Sequence, residues 1–184
     1  SLKLRQAIPV QFMDGRDGAA SLKGNGSGIG FNAGIQIKAT DKLNVGVTYR
    51  SKVRMNVKSG TADFDVPASL TTSFPDTKFS AALPLPEVFS LGLSYQITVD
   101  LVVQADLNYV GWKAYDTLSF DYKDNTAQLE DTHTPRLYQN KAAFRLGAHY
   151  LFSEKLAGMI GGAYDPSPVR DHYVSPELPD ANRL

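Results

Sequence analysis

Two-residue alternation in paired runs constrains this chain more than any other feature. Across Phe144-Arg145-Leu146-Gly147-Ala148-His149-Tyr150, apolar residues alternate with polar or small ones. Successive side chains of a strand point to opposite faces, so this run builds a strand with one apolar face. Ser153-Glu154-Lys155 reads as a tight turn, and a second strand then sets Leu156, Ile160 and Tyr164 on one face. The result is a β-hairpin with a very short connection at one end.

The chain repeats this unit. Residues 29–39 and 43–50 alternate on either side of Thr40-Asp41-Lys42, with the second strand extending towards Val57, and residues 88–97 and 101–109 alternate on either side of Thr98-Val99-Asp100. Residues 2–12 alternate more weakly, with Pro9 arguing for a strand end or an edge. Residues 118–122 suggest a strand projecting beyond the apolar band. Between these runs, residues 13–28 read as a loop rich in Asp and Gly, and 60–86 and 123–138 as long connections. A Pro-rich segment, Asp165-Pro166-Ser167-Pro168, follows the last strand.

Tight turns therefore recur roughly every 55 to 60 residues, with long connections between them, as in outer-membrane barrels. Tyr49, Tyr95, Tyr109, Trp112, Tyr150, Phe152 and Tyr164 fall at strand ends, where interfacial girdles place aromatics. Alternation alone fits a soluble β-sandwich or a lipocalin-like barrel equally well. The asymmetry of the loops favours the membrane barrel.

Composition narrows the classes. No run approaches the ~20 apolar residues of a membrane helix, which leaves a strand-built membrane protein open. The 19 basic and 19 acidic residues cancel, and basic residues do not cluster with aromatics, so nucleic acid is not an expected partner. Without cysteine there is neither a disulfide scaffold nor a thiolate site. The chain starts Ser1-Leu2-Lys3 with no initiator Met and no signal peptide, which reads as a trimmed segment.

Several strings resemble one family. They are Gly30-Phe31-Asn32-Ala33-Gly34-Ile35, Val47-Thr48-Tyr49-Arg50-Ser51-Lys52-Val53, Leu83-Pro84-Leu85-Pro86-Glu87-Val88 and Asp106-Leu107-Asn108-Tyr109-Val110-Gly111-Trp112. Lys141-Ala142-Ala143-Phe144-Arg145, Tyr164-Asp165-Pro166-Ser167-Pro168-Val169 and Leu178-Pro179-Asp180 follow in order. Together they are similar to the long-chain fatty acid transporter (FadL) family of outer-membrane proteins, which includes importers of aromatic hydrocarbons. The resemblance implies a monomeric, antiparallel transmembrane β-barrel of roughly 14 strands, closed by an N-terminal hatch and carrying a lateral hydrophobic exit. About seven of those strands are present, so residues 1–184 read as one partial barrel domain. The hatch, the early strands and roughly the last three are absent from it. Half a barrel has open sheet edges, through which such a fragment would self-associate.

Lys141, Arg145 and Arg50 are the candidate ligand-binding residues. Parity sets Lys141, Ala143, Arg145, Gly147 and His149 on the lumenal face, opposite Phe144 and Leu146. In the resemblance, Lys141 matches a lysine near a ligand head group, where a cation would pair with a fatty-acid carboxylate. Lys141 and Arg145 equally suit the solvated charge network that fills many barrels. Arg50, Lys52 and Arg54 form a second basic row, suited to anionic amphiphiles or, more simply, to lipopolysaccharide and water. Leu70, Phe74, Phe79, Leu83 and Leu85 offer an apolar groove for capture, or simple loop packing.

Signals for catalysis and for bound cofactors or metals are poor. Gly24-Asn25-Gly26-Ser27-Gly28-Ile29-Gly30 lacks the Lys and the helix of a phosphate loop. Asp14, Asp17 and Asp41 have no EF-hand register, and His133, His149 and His172 have no metal-ligand spacing. No nucleophile motif frames the serines. The sequence thus predicts a non-enzymatic protein in the outer membrane of a Gram-negative bacterium, carrying hydrophobic molecules passively. A ligand-free structural or adhesin-type barrel is the alternative.

Overall fold

The computed structural model describes residues 2–13, 15–170 and 180–184. Asp14, His172 and the Leu178-Pro179 string lie outside the described residues. Among the described residues all the regular structure is β apart from two single 3₁₀ turns, Ala68–Leu70 and Trp112–Ala114. The strands are β1 (Leu2–Gln11), β2 (Asp17–Gly24), β3 (Gly26–Ser27), β4 (Asn32–Lys38), β5 (Leu43–Arg50), β6 (Val53–Asp65) and β7 (Thr77–Leu85). There follow β8 (Val88–Gln96), β9 (Leu101–Val110), β10 (Thr117–Tyr122), β11 (Thr132–Pro135), β12 (Lys141–Ser153) and β13 (Leu156–Tyr164). They fall into two compact units, each with its own sheet.

One unit, residues 30–53, 85–116 and 136–184, holds the expected hairpins. Its antiparallel sheet runs β13-β12-β9-β8-β5-β4. Three short turns close β4–β5, β8–β9 and β12–β13, and a hydroxyl holds each. Thr40 Oγ1 accepts from the Lys42 and Leu43 N–H groups at 3.2 and 3.0 Å. Thr98 Oγ1 accepts from Asp100 and Leu101 at 3.2 and 3.1 Å, and Ser153 Oγ from Lys155 at 3.4 Å. Backbone bonds from Gln96 N–H to Lys42 O and from Leu151 N–H to Asp100 O tie neighbouring turns together at one end of the sheet.

Register carries the alternation across the whole sheet. Tyr49, Phe89, Tyr109 and Ala142 are aligned in one row, and Val47, Leu91, Leu107 and Phe144 in the next. Ile37, Val45, Leu93, Ala105 and Leu146 form the row after that. This face is apolar throughout, yet open: Phe144 is 53 % and Leu146 61 % exposed. Tyr49 and Tyr109 bound it at one end, and Tyr95 and Tyr150 at the other. From Leu101 to Tyr109 is roughly 27 Å of strand, close to the tilted length that crosses a bilayer core. The opposite face carries small and polar side chains, among them Ser90, whose hydroxyl donates to Asn108 Oδ1 at 2.6 Å.

The other unit, residues 1–29, 54–84 and 117–135, contains strands where the sequence suggests loops. Its sheet runs β1-β2-β6-β7-β10-β11, with β3 beside β6. Residues 13–28 form β2 and β3, the 60–86 stretch completes β6 and adds β7, and β11 lies within 123–138. The core is Ala20, Leu22, Val57, Ala62 and Phe79, with Phe120 and Tyr122 packed against it. Phe79 is 2 % exposed, so it is a core residue and not part of a capture groove. Leu85 is open, and Phe74 lies against Phe64 with ring centroids 6.0 Å apart.

Tyr122 gives this core a pH dependence. Burial, and secondly the Asp131 carboxylate, raise its pKa above the ordinary 10.0. A group raised in the folded state contributes its full stability below its unfolded pKa and loses it as pH rises through the folded value. The unit should therefore loosen in base above about pH 10, and Tyr122→Phe should remove that part of the loss. Alkaline titration of hydrogen exchange in residues 117–122 checks this; identical profiles would overturn it.

Candidate functional site

The polar face of the six-stranded sheet places the three candidate cations at different points. Lys141 opens β12 opposite Val110 of β9, and Val110 in turn faces Val88 of β8, which faces Arg50 at the end of β5. Lys141 and Arg50 thus share one row, separated by two strands, roughly 14 Å apart at ordinary strand spacing. Arg145 lies further along β12, opposite Asp106 on one side and Ala163 on the other. The fold does not gather the three into one site.

Of the three, Lys141 borders a half-open recess beside the end of β9. A cavity of about 280 Å³ is walled by Val110, Trp112, Tyr138, Lys141, Pro168 and Val169. Asp165, Asp180 and Arg183 also reach it. The Arg183 guanidinium donates to Asp180 Oδ1 at 2.8 Å, so those two charges compensate each other. No described residue forms a hydrogen bond or ion pair with the half-buried Lys141 ammonium. Arg50 instead edges a shallower recess with Asn32, Thr48 and Ser90. Arg145 is exposed.

The cavity's aromatic wall is a finding of the structure. Trp112, in the 3₁₀ turn that follows β9, borders the cavity. Its ring meets Tyr138 edge-on at 6.0 Å, and Tyr115 also meets Tyr138 edge-on, at 5.3 Å. Tyr115 and Tyr138 are buried. Irregular backbone at Arg136-Leu137 leads into Tyr138. Both N–H groups donate to the Asp116 carbonyl, and Leu137 adopts φ 47°. A non-glycine residue rarely holds that left-handed backbone unless its surroundings impose it. Sequence reasoning missed Tyr138 because it lies in an irregular segment without periodicity.

The arrangement is a recess walled by apolar and aromatic side chains, with the Lys141 ammonium and the Asp165 carboxylate as its charges besides the Asp180–Arg183 pair. No group of described residues is arranged to hold a metal ion.

The fold has close counterparts. The crystal structure of a FadL homologue from Pseudomonas aeruginosa superposes with a TM-score of 0.74 at 23% identity, covering 95% of this chain and 42% of that one. Outer membrane protein P1 of Haemophilus influenzae is 29% identical across 97% of this chain and 39% of its own length. The long-chain fatty acid transport protein of Escherichia coli K12 is 25% identical across 97% of this chain and 41% of its own. The chain thus spans about two fifths of the length of these relatives. The antiparallel sheet with its open apolar face is part of an outer-membrane β-barrel. The family model described as outer membrane protein transport protein (OMPP1/FadL/TodX) matches residues 5–184, and this chain belongs to that family.

Proposed function

We propose that the parent barrel passively transports hydrophobic molecules across the outer membrane, and that Lys141 receives the anionic head of a long-chain fatty acid on the way. The observation that carries this reading is the Lys141 ammonium, in no hydrogen bond or ion pair with a described residue, at the wall of a recess that it shares with apolar and aromatic side chains, the Asp165 carboxylate and the Asp180–Arg183 pair. A carboxylate entering there would gain a charge-assisted hydrogen bond, while its chain would lie against Val110, Val169 and the Trp112 ring. No bond is made or broken; the cargo must bind strongly enough to enter and weakly enough to leave. Arg145 and Arg50 stand apart from the recess and act as further cations along the lumenal face. Lipopolysaccharide around a monomeric barrel belongs to the same proposal.

The test is uptake of a fluorescent fatty acid by cells making the full-length parent or its Lys141→Ala form. Loss of a charge-assisted hydrogen bond of about 1.5–3 kcal/mol should weaken saturable binding roughly tenfold to a hundredfold. Uptake unchanged by the substitution would remove Lys141 from the route and keep transport. A correctly inserted barrel that neither binds nor imports the probe would exclude fatty acid as cargo, and aromatic hydrocarbons would be tested next.

A further inference from the structure

The residue before Lys141 connects the recess to the membrane-facing side of the sheet. Asn140 Nδ2 donates to the Tyr109 hydroxyl at 2.7 Å, and Asn140 Oδ1 accepts from the Lys113 N–H at 2.8 Å. Tyr109 belongs to the row of aromatics that bounds the apolar face. Lys113 follows Trp112 in the 3₁₀ turn beside the cavity. One side chain therefore spans an interfacial tyrosine and the turn that carries the recess's tryptophan. The segment on its N-terminal side is fixed as well: Arg136 and Leu137 both donate to the Asp116 carbonyl, and the Gln139 N–H donates to Pro168 O at 2.9 Å.

Such stitching exceeds what a connection needs in order to reach β12. An irregular backbone must satisfy its own polar groups, but here a side chain with both a donor and an acceptor uses each on a different element. The backbone entering Lys141 is thereby held in position and direction, so its side chain leaves from a fixed point. We infer that Asn140 is a positioning residue for Lys141, setting the recess's preference for a carboxylate head over a neutral one. This inference rests on the proposed role of Lys141. It predicts that Asn140 acts on head-group discrimination and not on apolar binding, because Asn140 is not among the residues that wall the cavity.

The experiment compares binding of laurate and dodecanol to the purified full-length parent in detergent, for wild type, Lys141→Met, Asn140→Ala and Tyr109→Phe. Wild type should prefer laurate, and Lys141→Met should abolish the preference. Asn140→Ala and Tyr109→Phe should each reduce it by roughly threefold to tenfold, the affinity equivalent of about one hydrogen bond, with dodecanol binding unchanged. Tyr109→Phe keeps the aromatic ring in the girdle, so it reads the strut even where Asn140→Ala perturbs folding. A preference unaltered in both variants overturns the positioning role. An equal loss of laurate and dodecanol affinity also overturns it, since a merely structural residue would act that way. If only Asn140→Ala shifts the preference, the Tyr109 link is overturned and the strut ends at Lys113. A wild type that binds both probes alike is the separate failure of the Lys141 reading, and the inference falls with it.

Discussion

Leu146→Arg is expected to destabilise the inserted barrel by about 2–4 kcal/mol, the cost of an arginine near the bilayer midplane on a lipid-facing strand position. Leu146 is 61 % exposed and sits in the middle row of the apolar face, beside Ala105 and in line with Leu93, Val45 and Ile37. In water such a row would be an aggregation hazard; in lipid it is the ordinary surface. Gln104→Arg is the matched control. Gln104 faces Gly147 and Ser94 on the polar side of the same sheet, so an added charge there meets water and costs little. Urea unfolding of the full-length parent in lipid bilayers reads both. Equal stability of the two variants would mean that the faces have been assigned the wrong way round.

Phe79→Ala should have the larger effect on the second unit, about 3–5 kcal/mol for truncating a fully buried phenylalanine. Phe79 is packed between Val57, Leu22 and Ala62, and its ring lies 5.8 Å from that of Phe120. The ring also lies directly over Gly60. A Cβ at that position would collide with it and come within 2.9 Å of the Lys23 carbonyl. Gly60→Val should therefore destabilise the same unit from the opposite direction, by overpacking. Limited proteolysis of the inserted parent, followed by mapping of cuts between residues 54 and 84, measures both changes. Wild-type resistance in the Phe79→Ala protein would show that this core does not hold the unit together.

Legibility in the sequence followed how local the determining interactions are. In the hairpin sheet most strands alternate, with Val88 and Val110 among the exceptions, and each turn lies within a few residues of both partners, so parity alone set Lys141 and Leu146 on opposite faces. The second sheet defeated the same reasoning for two reasons. Its β2 buries Gly18, Ala20 and Leu22, and two such small residues give little hydrophobic contrast. In β6 the buried parity changes between Val57 and Gly60. That matches a one-residue register slip between the β3 and β2 pairings, from Gly26 opposite Val57 to Lys23 opposite Thr61. A bulge of this kind erases a two-residue period just where it would be read. At the recess, the cation was visible from parity. Tyr138 and Asn140 were not, because their placement depends on a left-handed residue at Leu137 and on partners far away in sequence.

The hydroxyl-held turns at Thr40, Thr98 and Ser153 bear on the order of assembly. Each closes its hairpin by bonds made within a few residues, so the three hairpins can form independently and early, on the microsecond scale usual for such units. The slower steps are then the two seams, β5 to β8 and β9 to β12, which must each close across an intervening excursion of the chain. Loop-closure entropy grows with the length of free chain between the partners. Pairing of β6 with β7 inside the first excursion shortens that free length before β5 meets β8. Damage to the Phe79 core would on this view be felt twice, once in the unit that contains it and once in the rate at which the first two hairpins find each other.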